Sequence, residues 1–171
     1  MNISKKISVL LNLLKSAPII ILYISVLNEF DFNYLNYLNY FSFNFPFILI
    51  FYWSLKRSES LGFGLIFVSG LINDVVVGLP IGISSFNYLL ICGFAGYLRN
   101  ITLRPSLVKD WFFFLFTILV VNSLSYSLLI LFFSLDLNYQ VLFANIFMTF
   151  LFYIFFAYLF MIYQKLVLKE I

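Results

Sequence analysis

The sequence predicts an all-α integral membrane protein, a bundle of six transmembrane helices with both termini in the cytoplasm. Composition is the first observation: of 171 residues, 64% are hydrophobic and 10% charged, with a mean hydropathy of +1.06. Soluble domains are about half apolar and about a quarter charged. The second is segmentation. Polar punctuation leaves six apolar stretches, near residues 9–27, 40–55, 61–77, 84–98, 111–133 and 140–163. The third is charge placement, since six spans put all ten basic residues on one side. A single polytopic domain over residues 1–171 follows, with no room for a sizeable soluble one.

Each segment has its own justification. Lys5 and Lys6 followed by an apolar run mimic a signal peptide, but no small-x-small cleavage pattern follows, so the stretch reads as an uncleaved anchor. Lys15 interrupts this segment, and Pro18 offers an alternative start for the span. Segments two to four are short for a bilayer, a mismatch that thinning or snorkelling accommodates. Lys56 and Arg57 join spans two and three, while Arg99, Arg104 and Lys109 join spans four and five. Lys165 and Lys169 follow span six. The opposite loops hold Glu29, Asp31 and Asp136. Basic residues in short loops mark the cytoplasmic side. Tyr34, Tyr37 and Tyr40 outside, and Trp53 and Trp111 inside, are expected at the headgroups. Asp110 and Ser60 are candidate N-caps.

The same inventory excludes most chemistry. The chain has no histidine and one cysteine, Cys92. That removes disulfides, clustered Cys/His metal sites and histidine general bases. No P-loop is present, no cofactor is implied, and a net charge of +3 gives no case for nucleic acid. No second aspartate matches the depth of Asp74 in a span, so the chain reads as a non-enzyme.

The stretch GLINDVVVGLPIGISS, residues 70–85, carries the most information. All seven glycines lie between Gly62 and Gly96. Small residues let helix backbones approach in lipid, so Gly62, Gly64, Ser69, Gly70, Gly93, Ala95 and Gly96 predict a tight hairpin of spans three and four. Pro80, flanked by Gly78 and Gly82, breaks the helix between them, and Ser84 or Ser85 is placed to cap span four. Asp74 shares a helix face with Gly70. One reading makes it an acceptor for backbone N–H groups of the 78–85 connection; a ligand or proton-handling role is the alternative. Asn87, Asn122, Ser123, Ser125, Asn145 and Thr149 are further intramembrane polar groups. Interhelical hydrogen bonds explain them, and a solute pocket at the bundle centre is the sharper reading.

Residues 46–99 resemble a known family. Pro46 at the head of span two, FYWSLKR with Tyr52, Trp53 and Arg57, then Gly70, Asp74, Gly78, Pro80 and Gly82, and a span ending GYLRN, are similar to the rod shape-determining protein MreD. Many members carry an acidic residue after the span-two proline, where this chain has Phe47. The resemblance implies a multi-pass scaffold of the bacterial inner membrane that binds MreC. It also implies direct or indirect association with MreB, RodA and the elongation transpeptidase in lateral peptidoglycan synthesis, with membrane lipids around it. The family fold is similar to the substrate-binding S-components of energy-coupling-factor transporters. A vitamin or small-molecule transporter subunit is therefore the alternative, although fold likeness alone does not give function.

Overall fold

A computed structural model of the protein describes residues 16–27, 42–57, 60–102, 106–133 and 139–167. Residues 9–15 of the first apolar segment lie outside them. So do Lys5, Lys6, Lys15, Glu29, Asp31, Arg104, Asp136, Lys169 and the tyrosines at 34, 37 and 40.

Among the described residues the protein is all-helical, with six helices and no strand. They are α1 (Ser16–Leu27), α2 (Phe45–Lys56), α3 (Phe63–Val77), α4 (Ile83–Ile101), α5 (Leu107–Phe133) and α6 (Tyr139–Val167). Each falls on one of the six apolar segments. Two are long and apolar enough to cross a membrane: α5, with 27 residues and a hydropathy of 2.1, and the stretch Tyr139–Leu166 of α6, with 28 residues and 2.2. At 1.5 Å per residue each spans about 40 Å. The helices α1, α2 and α3 are shorter apolar segments.

Helix α2 is the axis of the bundle. Pro46 stands in its first turn, where no donor is lost, and the Asn44 side chain caps it by accepting the Phe47 N–H at 3.3 Å. Every residue from Phe47 to Leu55 is buried. A helix apolar all round is buried in protein or in lipid, and here α4 and α6 supply most of the cover. Aromatic rings fill the space between: Phe51 meets Phe114 at 5.0 Å and Tyr153 at 5.8 Å, and Phe114 stacks on Tyr153 at 4.5 Å. Such rings bury large areas and add geometric preference.

Polar bonds tie both ends. At one end, Lys56 Nζ sits 2.6 Å from Asp110 Oδ2, joining α2 to α5. There Arg99 donates to the Ser54 carbonyl at 3.3 Å, and the Tyr52 hydroxyl donates to Gln164 Oε1 at 3.1 Å. Arg57, Lys109 and Lys165 are exposed at this end. At the other, Thr149 Oγ1 accepts the Asn44 N–H at 2.9 Å, and Asn145 donates to Ser42 Oγ at 3.0 Å. Helices α2, α4 and α6 therefore run in one direction and α5 in the other, with the described basic residues gathered at one end.

Four local expectations are corrected. Trp53 is 2% exposed, packed against Tyr52, Phe160 and Tyr163, because α2 is central and has no lipid-facing side. Trp111 stacks on Phe150 at 4.4 Å and donates to its carbonyl at 2.9 Å, so its indole N–H is engaged by α6 and is not free for the headgroups. Asp110 is no N-cap: α5 starts at Leu107, and Asp110 pairs with Lys56. Ser60 likewise precedes the start of α3, whose flanking residue is Gly62.

The ion pair gives a measurable expectation. The Asp110 side chain is 2% exposed and the Lys56 side chain 23%, so Lys56→Met strands a buried carboxylate. The expected loss is ~2 kcal/mol, below that of a fully enclosed pair because water reaches Lys56. Thermal unfolding in detergent checks it, with the Lys56→Met/Asp110→Leu double variant expected to recover more than half of the loss.

Candidate functional site

The junction of α3 and α4 is built from one close approach and one carboxylate. Helices α3 and α4 form the most extensive pair in the bundle. At Gly70, buried on α3, a Cβ would fall against the Ser85 Cα and 2.5 Å from its nitrogen. Only glycine permits that crossing. The Ser85 hydroxyl donates to the Phe67 carbonyl at 3.0 Å, locking the two helices one turn apart from it.

Asp74 lies one turn beyond Gly70 and is 0% exposed. Its Oδ2 accepts the Gly82 N–H at 2.7 Å and its Oδ1 the Ser84 N–H at 2.8 Å. The first N–H groups of a helix have no partner within it. Asp74 supplies the acceptor from the neighbouring helix, at the end where the helix dipole favours negative charge. Ser84 and Ser85 thus sit inside the first turn of α4 and do not cap it, because the α3 carboxylate already occupies that position.

The connection keeps this geometry through two left-handed residues. Gly78, at φ 75°, ends α3 with its N–H on the Asp74 carbonyl, and Leu79 N–H bonds the same oxygen at 2.9 Å. Gly82, at φ 107°, starts α4, and the Pro80 carbonyl accepts the Ile83 N–H at 3.3 Å. A Cβ at either glycine would meet nothing within 4 Å, so their requirement is conformational. Gly78→Ala and Gly82→Ala are each expected to lower stability by about 1–2 kcal/mol, read as a lower thermal midpoint.

The small-residue surface is narrower than the sequence suggests. A Cβ at Gly64, Gly93 or Gly96 would meet nothing within 4 Å, and one at Gly62 only Leu65 Cδ1 at 4.0 Å. Close approach belongs to Gly70 alone among the glycines. Spacing identifies small residues but not the helix rotation that decides which of them face the partner.

Beside this junction is a partly open cavity of ≈ 380 Å³, lined by residues of all six helices and the segment leading into α2. Val77, Leu79 and Ile83 make the junction one of its walls. Three asparagine–serine pairs line it: Asn73 donates to Ser84 Oγ at 2.9 Å, Asn87 to Ser125 Oγ at 3.0 Å, and Asn145 to Ser42 Oγ at 3.0 Å. Of the polar groups singled out in the sequence, Asn87, Ser125 and Asn145 make such bonds. Asn122 instead donates to the Ile118 carbonyl of its own helix at 2.8 Å, and Ser123 is exposed. Asn73 and Ser42 were not signalled, and Ser84 only as a cap, because a polar residue near a helix end reads equally as a cap or a loop residue.

The other motif residues separate. Pro46 and Phe47 line the cavity, Phe47 meeting Tyr88 edge-on at 5.9 Å. Tyr52, Trp53 and Arg57 belong to the opposite, basic end, where Tyr52 and Trp53 pack in the core. The motif thus comprises a central helix and a hairpin junction, not one cluster. A family model for the rod shape-determining protein MreD matches residues 11–167, a range that includes all six helices. The chain belongs to the MreD family. Its role class is therefore the determination of rod shape, and MreD proteins are membrane proteins, in keeping with the two long apolar helices. No curated protein and no solved structure matches the chain.

Proposed function

We propose that this MreD-family protein is a non-enzymatic, multi-pass scaffold of the bacterial inner membrane that binds MreC and supports lateral peptidoglycan synthesis. The observation that carries the reading is the family match over residues 11–167. All six helices cross the bilayer in this reading, and both termini are cytoplasmic. The gathering of Lys56, Arg57, Arg99, Lys109 and Lys165 at one end supports that orientation. The asparagine-rich end then faces away from the cytoplasm. A scaffold role suits a molecule without histidine whose most buried carboxylate already has a backbone N–H on each oxygen. MreB, RodA and the elongation transpeptidase are reached directly or through MreC.

Depletion is expected to turn rod-shaped cells round or swollen, with MreC recovered alongside the protein from detergent extracts. Unchanged cell shape together with no recovered MreC rejects the reading. Cysteine labelling at position 57 or 109 from the cytoplasmic side only is the expected topology result.

A further inference from the structure

We propose that the cavity beside the α3–α4 junction binds a neutral polyhydroxylated ring, a saccharide unit, either free or carried as a glycolipid headgroup. The inference does not rest on the scaffold reading. It starts from what the lining lacks. No Asp, Glu, Lys or Arg is among the described residues that line the cavity, and the nearby Asp74 has both oxygens engaged by main-chain donors. A charged ligand would lose its hydration with nothing of opposite sign to meet it.

Apolar side chains such as Leu129 and Leu142 share the lining, but an acyl chain would leave the lining's polar groups unmet. Asn73, Asn87 and Asn145 each donate to a serine hydroxyl. A hydroxyl that accepts still has its own proton to give, and an asparagine that donates still has a carbonyl to accept with. The three pairs thus set donors and acceptors side by side without net charge. Asn87 is 7% exposed, and its Oδ1 is buried with no hydrogen-bond partner among the described residues. A buried amide oxygen left unpaired is destabilising, and because Asn87 lines the cavity a turn of its amide toward that space would let a ligand hydroxyl satisfy it.

Rings complete the argument. Phe47 and Tyr88 form an edge-on pair in the wall at 5.9 Å, and Phe43, Phe45 and Tyr126 also line the space. A pyranose carries hydroxyls around its rim and apolar C–H faces above and below, so it meets amides and aromatics together. The volume of ≈ 380 Å³ lies at the small end of ligand pockets, roughly 300–1,000 Å³, which suits one or two rings.

The test uses the full chain in phospholipid nanodiscs, purified without sugar-based detergent because a maltoside carries the same chemistry. Glucose, N-acetylglucosamine and chitobiose are the free probes, by equilibrium dialysis. Glucosyl diacylglycerol is the lipid probe, by native mass spectrometry. Saturable binding of a free probe assigns a soluble source, and binding of the glycolipid alone assigns a headgroup. Glucose 6-phosphate is expected to bind at least tenfold more weakly than glucose. Asn87→Ala and Ser125→Ala are each expected to weaken binding about tenfold, the loss of roughly one buried hydrogen bond. Ser127→Ala, exposed on α5 with its hydroxyl on the Ser123 carbonyl, should change nothing. Absence of saturable binding in both arms overturns the proposal, as does tight binding of the phosphorylated sugar. Undiminished affinity in folded Asn87→Ala also overturns it, and if that variant does not fold, Ser125→Ala decides alone.

Discussion

Gly70→Leu is expected to abolish the folded protein, and Gly70→Ala to destabilise it by about 2–3 kcal/mol. The reason is the atoms in the way. A Cβ at this position would fall against the Ser85 Cα, 2.5 Å from its nitrogen and 2.8 Å from its hydroxyl. A side-chain tip can rotate aside, but main chain in the first turn of a helix cannot. Overpacking a close-packed interior typically costs about 1–3 kcal/mol and sometimes more. Here relief requires the whole of α4 to move. That displacement would also pull Gly82 and Ser84 away from Asp74 and the Ser85 hydroxyl away from Phe67. Leucine adds further atoms along the same vector. Size-exclusion profiles and thermal unfolding in detergent measure the effect, and shape complementation in depleted cells should fall in parallel.

Gly64, Gly93 and Gly96 serve as internal controls. They are helical, and a Cβ at each would meet nothing within 4 Å. Alanine there should be neutral or stabilising by up to about 1 kcal/mol, since glycine is the weaker helix former. Equal harm at all four positions would place the sensitivity in overall glycine content and remove the special status of the Gly70 crossing.

The helical architecture was legible because it is written in composition and punctuation. Six apolar segments separated by charges suffice to locate six helices, and a Pro-Gly-rich interval suffices to break the chain near Gly78–Gly82. Helix rotation was not legible. Trp53 has the composition of an interfacial anchor and Gly93 that of a packing surface, yet α2 turns out to be enclosed and Gly93 exposed. Nor were the long-range partners. Lys56 and Asp110 are 54 residues apart, and Asn87 and Ser125 are 38 apart. Each reads locally as an ordinary end-of-helix or mid-helix polar residue until the packing brings the partner alongside. Asp74 was the exception, since the N–H groups that donate to it lie only 8 and 10 residues away, within one hairpin.

That short separation makes Asp74 the sharpest probe of the site. Asp74→Leu removes both acceptors, leaving the Gly82 and Ser84 N–H groups without partners beside a buried apolar side chain. At roughly 1–3 kcal/mol for each stranded buried donor, the expected loss is about 3 kcal/mol. Asp74→Asn keeps one carbonyl oxygen, which can hold one N–H. Its amide nitrogen must then face the other N–H, donor against donor. The geometry therefore places asparagine between aspartate and leucine, with more than the half of the loss that a simple count of acceptors implies. Charge contributes as well, because the carboxylate stands at the positive end of the α4 dipole. Thermal midpoints in the order Asp, Asn, Leu are the expected result. Parallel ranking in MreC recovery would make the residue a fastener whose functional effect is the integrity of the junction. A folded Asp74→Asn protein of near-native midpoint that fails to recover MreC would instead assign the negative charge to the partner surface, a role the two hydrogen bonds alone do not require.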